Sequence, residues 1–265
     1  MKLDGKCVVV TGAAGGIGAA LARRFAAEGA RGVVASDRDA RGIETVVQQI
    51  TATGSDAIAI PCDVTEESQL QALVDTTEAR FGPIDLFCSN AGVISLGGAD
   101  ASDDDWRLSL DVNVMAHVYA ARILVPRMLE RGGGYLLQTA SAAGLLTQLG
   151  SAPYSVTKHA ALALAEWLAI TYGDQGLKVS VLAPQAVRTA MTAGVVDGGV
   201  AGVDGMLEPD AVADAVIAGL DAESFLILPH PRVLEYFQRK ASDYERWLNG
   251  MRRLQAQFGG AGTPA

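Results

Sequence analysis

A glycine-rich turn near the N-terminus constrains the fold more than any other feature of this chain. Residues 6–11 (KCVVVT) form an apolar run of strand length, residues 12–18 (GAAGGIG) follow at once, and residues 19–28 have a helical pattern. This order predicts a phosphate-binding crossover, because glycines let the backbone approach a pyrophosphate and the helix N-terminus faces its negative charge. A tight turn that needs glycine only for steric reasons is the alternative.

The next predicted strand ends in an acidic residue. Residues 32–36 (GVVAS) run into Asp37, about twenty residues after the turn, where a carboxylate can accept hydrogen bonds from an adenosine ribose. Such a carboxylate would repel a 2′-phosphate, so we expect the cofactor to be NAD. Arg38 follows directly and could instead pair with that phosphate, which leaves NADP as the less favoured alternative.

A second group of polar residues lies in the middle of the chain. Tyr154 and Lys158 are four residues apart on a helix that Ser151 and Pro153 are expected to open, so both side chains project from one face. Ser141 ends an apolar, strand-like run, and strand ends are where α/β proteins meet ligands. A nearby cation lowers a tyrosine pKa, and a serine hydroxyl can stabilise a developing oxyanion. The trio predicts an acid/base device for an alcohol or a carbonyl, although the Tyr–Lys spacing alone also arises by chance.

The remaining chain alternates between predicted strands and helices, with strands at residues 57–61, 84–88, 135–140, 177–183 and 224–228. Asp63, after the third strand, is placed either to meet the adenine or to cap the helix that begins near Glu66, a role for which Thr65 competes. A helical pattern over residues 106–130 contains the polar residue Asn113 among apolar neighbours. Such an amide is more often structural than catalytic.

Six motifs together resemble the short-chain dehydrogenase/reductase family. They appear in that family's order and spacing over roughly residues 6–189: Thr11-Gly12 with Gly16 and Gly18, Asp63, Asn90-Ala91-Gly92, Asn113, Ser141, and Tyr154 with Lys158. The expected fold is α/β, a single doubly wound Rossmann domain over residues 1–230 whose parallel seven-stranded sheet is flanked by helices. An extra C-terminal helix is expected over residues 231–256, and a flexible tail over residues 257–265.

The resemblance implies a catalytic tetrad of Asn113, Ser141, Tyr154 and Lys158. Tyr154 would be the general acid/base, Ser141 would hold the substrate oxygen, and Lys158 would lower the phenol pKa and bond the nicotinamide ribose. The proton relay through a water on Asn113 is implied by the resemblance alone. The residues expected to contact the cofactor are Thr11, Gly12, Gly16, Ile17, Gly18, Asp37, Arg38, Asp63, Val64, Asn90, Ala91, Gly92, Tyr154, Lys158, Pro184, Val187 and Thr189.

The expected substrate pocket is apolar. Its predicted walls are Leu96, Leu145, Leu146, Gln185 and Met191, which suit a hydrophobic secondary alcohol or its ketone. Gln185 departs from the family pattern, which usually has glycine after this proline. The glycine-rich stretch at about residues 190–206 stands where the family carries a mobile lid, and an ordinary flexible surface segment is the alternative.

The C-terminal pattern over residues 232–255 predicts one long helix with an apolar seam. This seam needs a partner, which could be its own domain, the substrate pocket or the same helix of a second subunit. We expect the last, in a homodimer or homotetramer.

Composition excludes several other classes of function. A formal charge of −9 and the absence of a Lys/Arg cluster argue against nucleic-acid binding. Cys7, Cys62 and Cys88 lie in or beside apolar runs, so buried free thiols are expected rather than disulfides or a metal site. No basic leader is evident, and charges are expected to interrupt every apolar run before it reaches membrane-spanning length, which predicts a cytoplasmic protein.

The leading function is an NAD-dependent oxidoreductase. An NADPH-dependent carbonyl reductase and a non-catalytic dinucleotide sensor or scaffold are the alternatives.

Overall fold

A computed structural model describes residues 1–258 of the chain. Seven parallel strands form one sheet in the order β3-β2-β1-β4-β5-β6-β7. The strands are β1 (Cys7–Thr11), β2 (Gly32–Asp37), β3 (Ala57–Pro61), β4 (Leu86–Ser89), β5 (Gly134–Thr139), β6 (Leu177–Leu182) and β7 (Leu226–Ile227). The helices are α1 (Gly16–Ala27), α2 (Ala40–Thr51), α3 (Glu67–Phe81), α4 (Asp103–Leu110), α5 (Ala116–Glu130), α6 (Ala143–Leu146), α7 (Ala152–Tyr172), α8 (Pro209–Asp221), α9 (Arg232–Ser242) and α10 (Tyr244–Phe258).

Helices cover both faces of the sheet, because successive strand residues point to opposite sides. In β1, Val8 and Val10 belong to the core layer under α1, α2 and α8, whereas Cys7 and Val9 belong to the layer under α3, α5 and α7. The strand order reverses between β1 and β4, and a crevice forms outside the carboxyl ends of strands at such a reversal. The predicted doubly wound parallel sheet is confirmed.

The predicted helix over residues 106–130 is continuous but irregular. It runs from α4 through a π-helical turn, Asp111–Met115, into α5. Within the described part of the chain, Asp103–Glu130 has the length and hydropathy of a membrane span. Arg122 and Arg127 interrupt its apolar part, as the sequence predicts. Because 56% of its most apolar window is buried inside the fold, core packing accounts for its hydropathy.

The C-terminal extension differs from the single long helix predicted for it. α9 ends at Ser242, Asp243 adopts an extended backbone, and α10 begins at Tyr244. The Asp243 carboxylate accepts a hydrogen bond from the Arg246 amide at 2.9 Å, so it caps the second helix rather than continuing the first. Residues 257–258 belong to α10 instead of the predicted tail, and residues 259–265 lie outside the described residues.

The three cysteines are free and buried, as the sequence predicts. Burial raises the pKa of the Cys7 and Cys62 thiols to about 11 in each case. Thiols in such surroundings remain protonated near neutral pH and are poor nucleophiles.

Candidate active site

A cleft of about 470 Å³ opens at the carboxyl edge of the sheet. Most of the residues predicted to contact a cofactor or substrate line it. They are Gly12, Gly16, Ile17, Gly18, Asp37, Arg38, Asp63, Val64, Asn90, Ala91, Gly92, Ser141, Tyr154, Lys158, Pro184, Gln185, Val187, Thr189 and Met191. The structure therefore brings both groups of polar residues, far apart in the sequence, to one cavity.

Gly12, Gly16 and Gly18 of the glycine turn are packed so closely that a side chain at any of them would overlap neighbouring atoms. A Cβ at Gly18 would lie 2.1 Å from the Gly12 carbonyl oxygen, and one at Gly16 would lie 2.9 Å from Thr189 Cγ2. Gly12 and Gly16 have φ values of 66° and 52°, which favour glycine. Since α1 begins at this turn, its N-terminal amides face the cleft, and the turn fits the pyrophosphate of a dinucleotide.

Thr11 supports the cleft from beneath and does not line it. Its side chain is buried, donates to the Cys88 carbonyl at 3.2 Å and accepts from the Asn90 amide at 3.0 Å. These bonds tie β1 to the end of β4, which places Ala91 and Gly92 in the cleft wall. The Thr11 hydroxyl is thus bonded within the protein, and the cofactor contact predicted for this residue stays a prediction.

The carboxylate of Asp37 stands at the end of β2 beside the glycine turn. It accepts hydrogen bonds from the Ala14 amide at 3.2 Å and the Asp39 amide at 3.1 Å. Arg38 is exposed and lines the same part of the cleft. Both residues that bear on the predicted choice between NAD and NADP thus line the same cleft.

Asp63 lines the cleft, and it does not cap the next helix. Its carboxylate accepts from the amide of Thr65 at 3.0 Å and from the hydroxyl of the same residue at 2.8 Å. α3 begins at Glu67, close to the predicted start, and its N-cap residue is Glu66 rather than Asp63 or Thr65. The local turn therefore leaves Asp63 at the edge of the cleft.

Three of the four predicted catalytic residues meet at the substrate end of the cleft. Ser151 opens α7, accepting from the Tyr154 amide at 3.2 Å. The Lys158 ammonium lies 5.6 Å from the centre of the Tyr154 ring and donates to the Thr139 carbonyl at 3.0 Å. Ser141 accepts from the Ala143 amide at 3.1 Å, which holds its hydroxyl at the end of β5. Phenol, ammonium and hydroxyl therefore surround one small volume.

Burial shifts the pKa values of Tyr154 and Lys158, the two predicted catalytic groups on α7. It lowers the pKa of Lys158 from 10.5 to about 8, since desolvation disfavours the ammonium. It raises the pKa of the Tyr154 phenol, and a hydrogen bond with Ser141 partly offsets this. The sequence predicts the opposite direction for the phenol. The difference arises because burial of the phenol is the largest cause of the shift and exceeds the lowering effect of the Ser141 hydrogen bond.

Asn113 lies behind the cleft wall rather than in it. The side chain is fully buried in the π-helical turn, where its amide oxygen accepts from the Val93 amide at 2.9 Å. Its amide nitrogen donates to the Val93 carbonyl at 2.9 Å and to the Thr157 hydroxyl at 3.1 Å. The sequence analysis missed the supporting roles of Thr139 and Thr157. Thr139 could have been predicted from its position at the end of a strand. No local sequence pattern identifies Thr157.

Two of the five predicted pocket walls line the cleft. These are Gln185 and Met191. Leu145 and Leu146 are buried in the core because the short helix α6 packs inward, and Leu96 is 75% exposed. These three leucines do not line the cleft, so the apolar wall predicted from them is not formed by their side chains in this structure.

The family model for short chain dehydrogenase matches residues 6–198. Together with the glycine turn and the Tyr154–Lys158 pair in one cleft, this match decides the family. The chain belongs to the short-chain dehydrogenase/reductase family. It is therefore an oxidoreductase acting on CH–OH groups.

Relatives and solved structures agree with this assignment. The chain is 40% identical over 231 residues to 1-deoxy-11-beta-hydroxypentalenate dehydrogenase of Streptomyces avermitilis, covering 86% of this chain and 85% of that protein. It is 34% identical over 189 residues to 7alpha-hydroxysteroid dehydrogenase of Escherichia coli, covering 71% and 74% respectively. A short chain dehydrogenase/reductase from Burkholderia phymatum, solved in complex with NAD, has a TM-score of 0.85 and 29% identity, with 92% of this chain and 96% of that chain covered.

Proposed function

We propose that this short-chain dehydrogenase transfers a hydride between NAD and a hydrophobic secondary alcohol or its ketone, with Tyr154 as the general acid/base. The observation that carries the proposal is the convergence of Ser141, Tyr154 and Lys158 in the same cleft as the glycine turn and Asp37. A binding protein would have no use for a buried lysine beside a phenol, because that arrangement opposes folding without adding a dinucleotide contact at the turn.

The residues of the cleft fit a nicotinamide dinucleotide. The glycine turn would hold the pyrophosphate, the Asp37 carboxylate the adenosine ribose, and Lys158 the nicotinamide ribose through the N–H groups that Thr139 does not use. When bound, the nicotinamide supplies the acceptor of the hydride in alcohol oxidation and its donor in ketone reduction. The negative charge of the Asp37 carboxylate favours NAD, because it would repel the 2′-phosphate of NADP.

The protein's own groups move the proton. In ketone reduction the Tyr154 hydroxyl donates its proton to the carbonyl oxygen, while the Ser141 hydroxyl donates a hydrogen bond to the same oxygen as charge develops there. Because burial raises the pKa of Tyr154, the phenol is protonated near neutral pH and is ready for this step. Alcohol oxidation needs the phenolate, so its rate should increase as the pH becomes alkaline.

Apolar side chains on the segment that follows β6 support a hydrophobic substrate. Met191, Val195 and Val196 are 42%, 50% and 82% exposed, and Met191 lines the cleft. Apolar surface of this kind beside a polar reaction centre is typical of a binding site. The relatives named above are dehydrogenases of a hydroxypentalenate and of a hydroxysteroid, which supports an alcohol as the substrate.

An NADPH-dependent carbonyl reductase is the second candidate, and the exposed Arg38 in the cleft is the observation that favours it. A titration of the protein with NADH and with NADPH, followed by nicotinamide fluorescence, separates the two candidates. We expect tighter binding of NADH. Tighter binding of NADPH would contradict the cofactor assignment and leave the acid/base assignment intact.

The acid/base assignment is tested with Tyr154→Phe on a panel of hydroxysteroids and other cyclic secondary alcohols. We expect turnover to fall about 10³-fold, within the usual range for loss of a general acid/base, while NADH binding changes less than about twofold. The matched control is Tyr172→Phe, near the far end of α7. Near-normal turnover by Tyr154→Phe would contradict the proposal.

We also propose that the enzyme is a homodimer or homotetramer. The outer surface of α10 carries the exposed side chains of Tyr244, Leu248 and Phe258, at 56%, 42% and 40% exposure. Such a surface is more apolar than a helix facing only water requires. Light scattering on the protein as it leaves a size-exclusion column should give a mass of at least two chains. A monomer at micromolar concentration would contradict this part of the proposal.

A further inference from the structure

The helix α9 and His230, two residues before it, contact three segments that surround the substrate end of the cleft. These segments are the Pro184–Gln185 turn after β6, the stretch of residues 190–206, called the lid segment below, and the short helix α6 that follows Ser141. α9 lies beyond residues 6–198, the part of the chain that the family model matches. Its contacts indicate a role at the active site rather than in assembly alone.

At the end of the lid segment, Asp204 carries a buried charge. Its side chain is 6% exposed, and one carboxylate oxygen accepts from the Arg232 guanidinium at 2.7 Å and from the Tyr236 hydroxyl at 3.0 Å. The Arg232 guanidinium also lies 5.2 Å from the centre of the Tyr236 ring. A buried carboxylate without such partners would oppose folding strongly, so these bonds hold the lid segment against α9.

His230, just before α9, reaches the catalytic serine through the Pro184–Gln185 turn. Its ring is 4% exposed, and Nδ1 accepts from the Gln185 amide at 3.2 Å. The carbonyl oxygen of the preceding residue, Pro184, accepts from the Ser141 hydroxyl at 3.4 Å and from the Ala142 amide at 2.9 Å. Two successive hydrogen bonds therefore connect the start of α9 to Ser141.

Near its other end, α9 is fixed to the helix that follows the serine. Lys240 is 8% exposed, and its ammonium donates to the Leu145 carbonyl at 2.6 Å. Burial lowers the pKa of this lysine. Because α9 is held at both ends by groups adjoining Ser141, its position relative to the serine is set, and Asp204 then sets the position of the lid segment.

The lid segment has a backbone that would favour opening if Asp204 released it. Asp197 has a φ of 49°, in the left-handed region that opposes a side chain, and Gly198 and Gly199 follow with φ values of 73° and 55°. Val195 and Val196 project outward and contribute little burial. A segment with few buried contacts opens readily unless particular bonds retain it.

We propose that Asp204 is a positioning residue for the substrate. Through Arg232 and Tyr236 it holds the lid segment at a constant distance from Ser141, and so determines how tightly the alcohol is enclosed. The inference rests on the proposed function, because it assigns the lid segment to the substrate rather than to the cofactor. Asp204 touches no reacting atom and acts only through the lid segment.

The test compares Arg232→Gln with Arg239→Gln in the full chain. Arg232 is 57% exposed and Arg239, on the same helix, is 64% exposed and pairs with Glu235 instead of the lid segment. Hydrogen exchange of peptides from residues 193–206 is measured together with kcat, KM for a cyclic secondary alcohol, and the Kd of NADH. Asp204→Asn is the second variant, and Tyr236→Phe replaces it if it does not fold.

We expect Arg232→Gln and Asp204→Asn to raise KM and the exchange rate of the lid segment about tenfold, the size expected when a hydrogen bond to a charged group is lost. The values of kcat and of Kd for NADH should change less than about twofold, and Arg239→Gln should resemble the wild type. Unchanged exchange in residues 193–206 would overturn the role of Asp204. Faster exchange without a change in KM would overturn its link to the substrate.

These outcomes are separate from failure of the proposed function. Hydrogen exchange does not depend on turnover, so it tests the attachment of the lid segment even if no alcohol is oxidised. If alcohols are oxidised and Tyr154→Phe is inactive, the proposed function stands whatever the Arg232 variants show.

Discussion

The two ends of the cleft are built by different physical means. At the cofactor end, around β1 and β2, the contacts are made by backbone groups and by missing side chains, as at Gly12 and Gly18. At the substrate end, around the lid segment and α9, they are made by charged side chains that are buried or partly buried, as at Asp204 and Lys240. Changes at the cofactor end should therefore act through steric overlap, and changes at the substrate end through lost polar bonds.

Lys158 lies between the two ends of the cleft and combines a position set by local spacing with a buried charge. Its position is set by helical spacing from Tyr154, yet its buried ammonium is a charge that the fold accommodates with a carbonyl partner at 3.0 Å. The comparison of the two ends can be tested by four substitutions with progressively smaller expected effects.

The largest effect is expected at the cofactor end from Gly18→Ala. The added Cβ would lie 2.1 Å from the Gly12 carbonyl oxygen, so the turn must open and α1 must shift. We expect unfolding free energy to fall by about 3 kcal/mol, the upper part of the range for overpacking, and NADH binding to be lost. Gly15→Ala is the control, since its Cβ would meet no atom of residues 1–258 within 4 Å. Equal melting temperatures for the two variants would contradict the claim that changes at the cofactor end act through steric overlap.

Lys158→Met should abolish turnover and yet stabilise the protein without cofactor. The folded-state pKa of about 8 lies below the ordinary 10.5, so the buried ammonium opposes folding below pH 8. This penalty, up to about 3 kcal/mol from the shift and nearer 1 to 2 kcal/mol after loss of the bond to Thr139, disappears as the pH rises through 10.5.

Urea unfolding at pH 7 and at pH 10 measures the effect of Lys158→Met. The variant should be the more stable protein at pH 7, and the gap should narrow at pH 10 because the wild type gains stability between pH 8 and 10.5. A pH-independent gap would show that packing, rather than the buried charge, distinguishes the two proteins.

Asp37→Ala tests the carboxylate charge of Asp37 at the cofactor end. Loss of the carboxylate should weaken NADH binding and improve NADPH binding, changing the ratio of their Kd values about tenfold, because repulsion of the 2′-phosphate is removed while Arg38 remains. Fluorescence titration with both cofactors gives the ratio. Asp39→Ala, two residues away and outside the cleft lining, is the control. An unchanged ratio would mean that Asp37 does not select the cofactor.

The smallest effect is expected from Lys240→Met at the substrate end. Removing the ammonium leaves the Leu145 carbonyl without that donor, but it also removes a partly desolvated charge. These two changes oppose each other, so unfolding free energy should fall by only about 0.5 to 1 kcal/mol. The loss of stability is measured by comparing the melting temperature of Lys240→Met with that of Lys178→Met. Lys178 is an exposed lysine paired with Glu223 and serves as the control. A loss as large as that of Gly18→Ala would remove the distinction between the two ends.

The sequence by itself determined the features that depend on neighbouring residues. Strand, glycine turn and helix follow one another directly from residue 6, so backbone preferences predict the crossover, the parallel sheet and the cofactor end of the cleft. Tyr154 and Lys158 share a face because four residues make about one helical turn. The family follows from these local patterns, which need no knowledge of how distant segments meet.

Only the tertiary structure decided the substrate end. The bond between Asp204 and Arg232 joins residues 28 apart, and that between Lys240 and Leu145 joins residues 95 apart. Neither spacing has a local signature, because each bond depends on where α9 docks on the rest of the fold. For the same reason the inward packing of Leu145 and the burial that raises the Tyr154 pKa could not be foreseen. A burial-driven pKa depends on the whole surrounding fold, whereas a helical spacing depends on one turn.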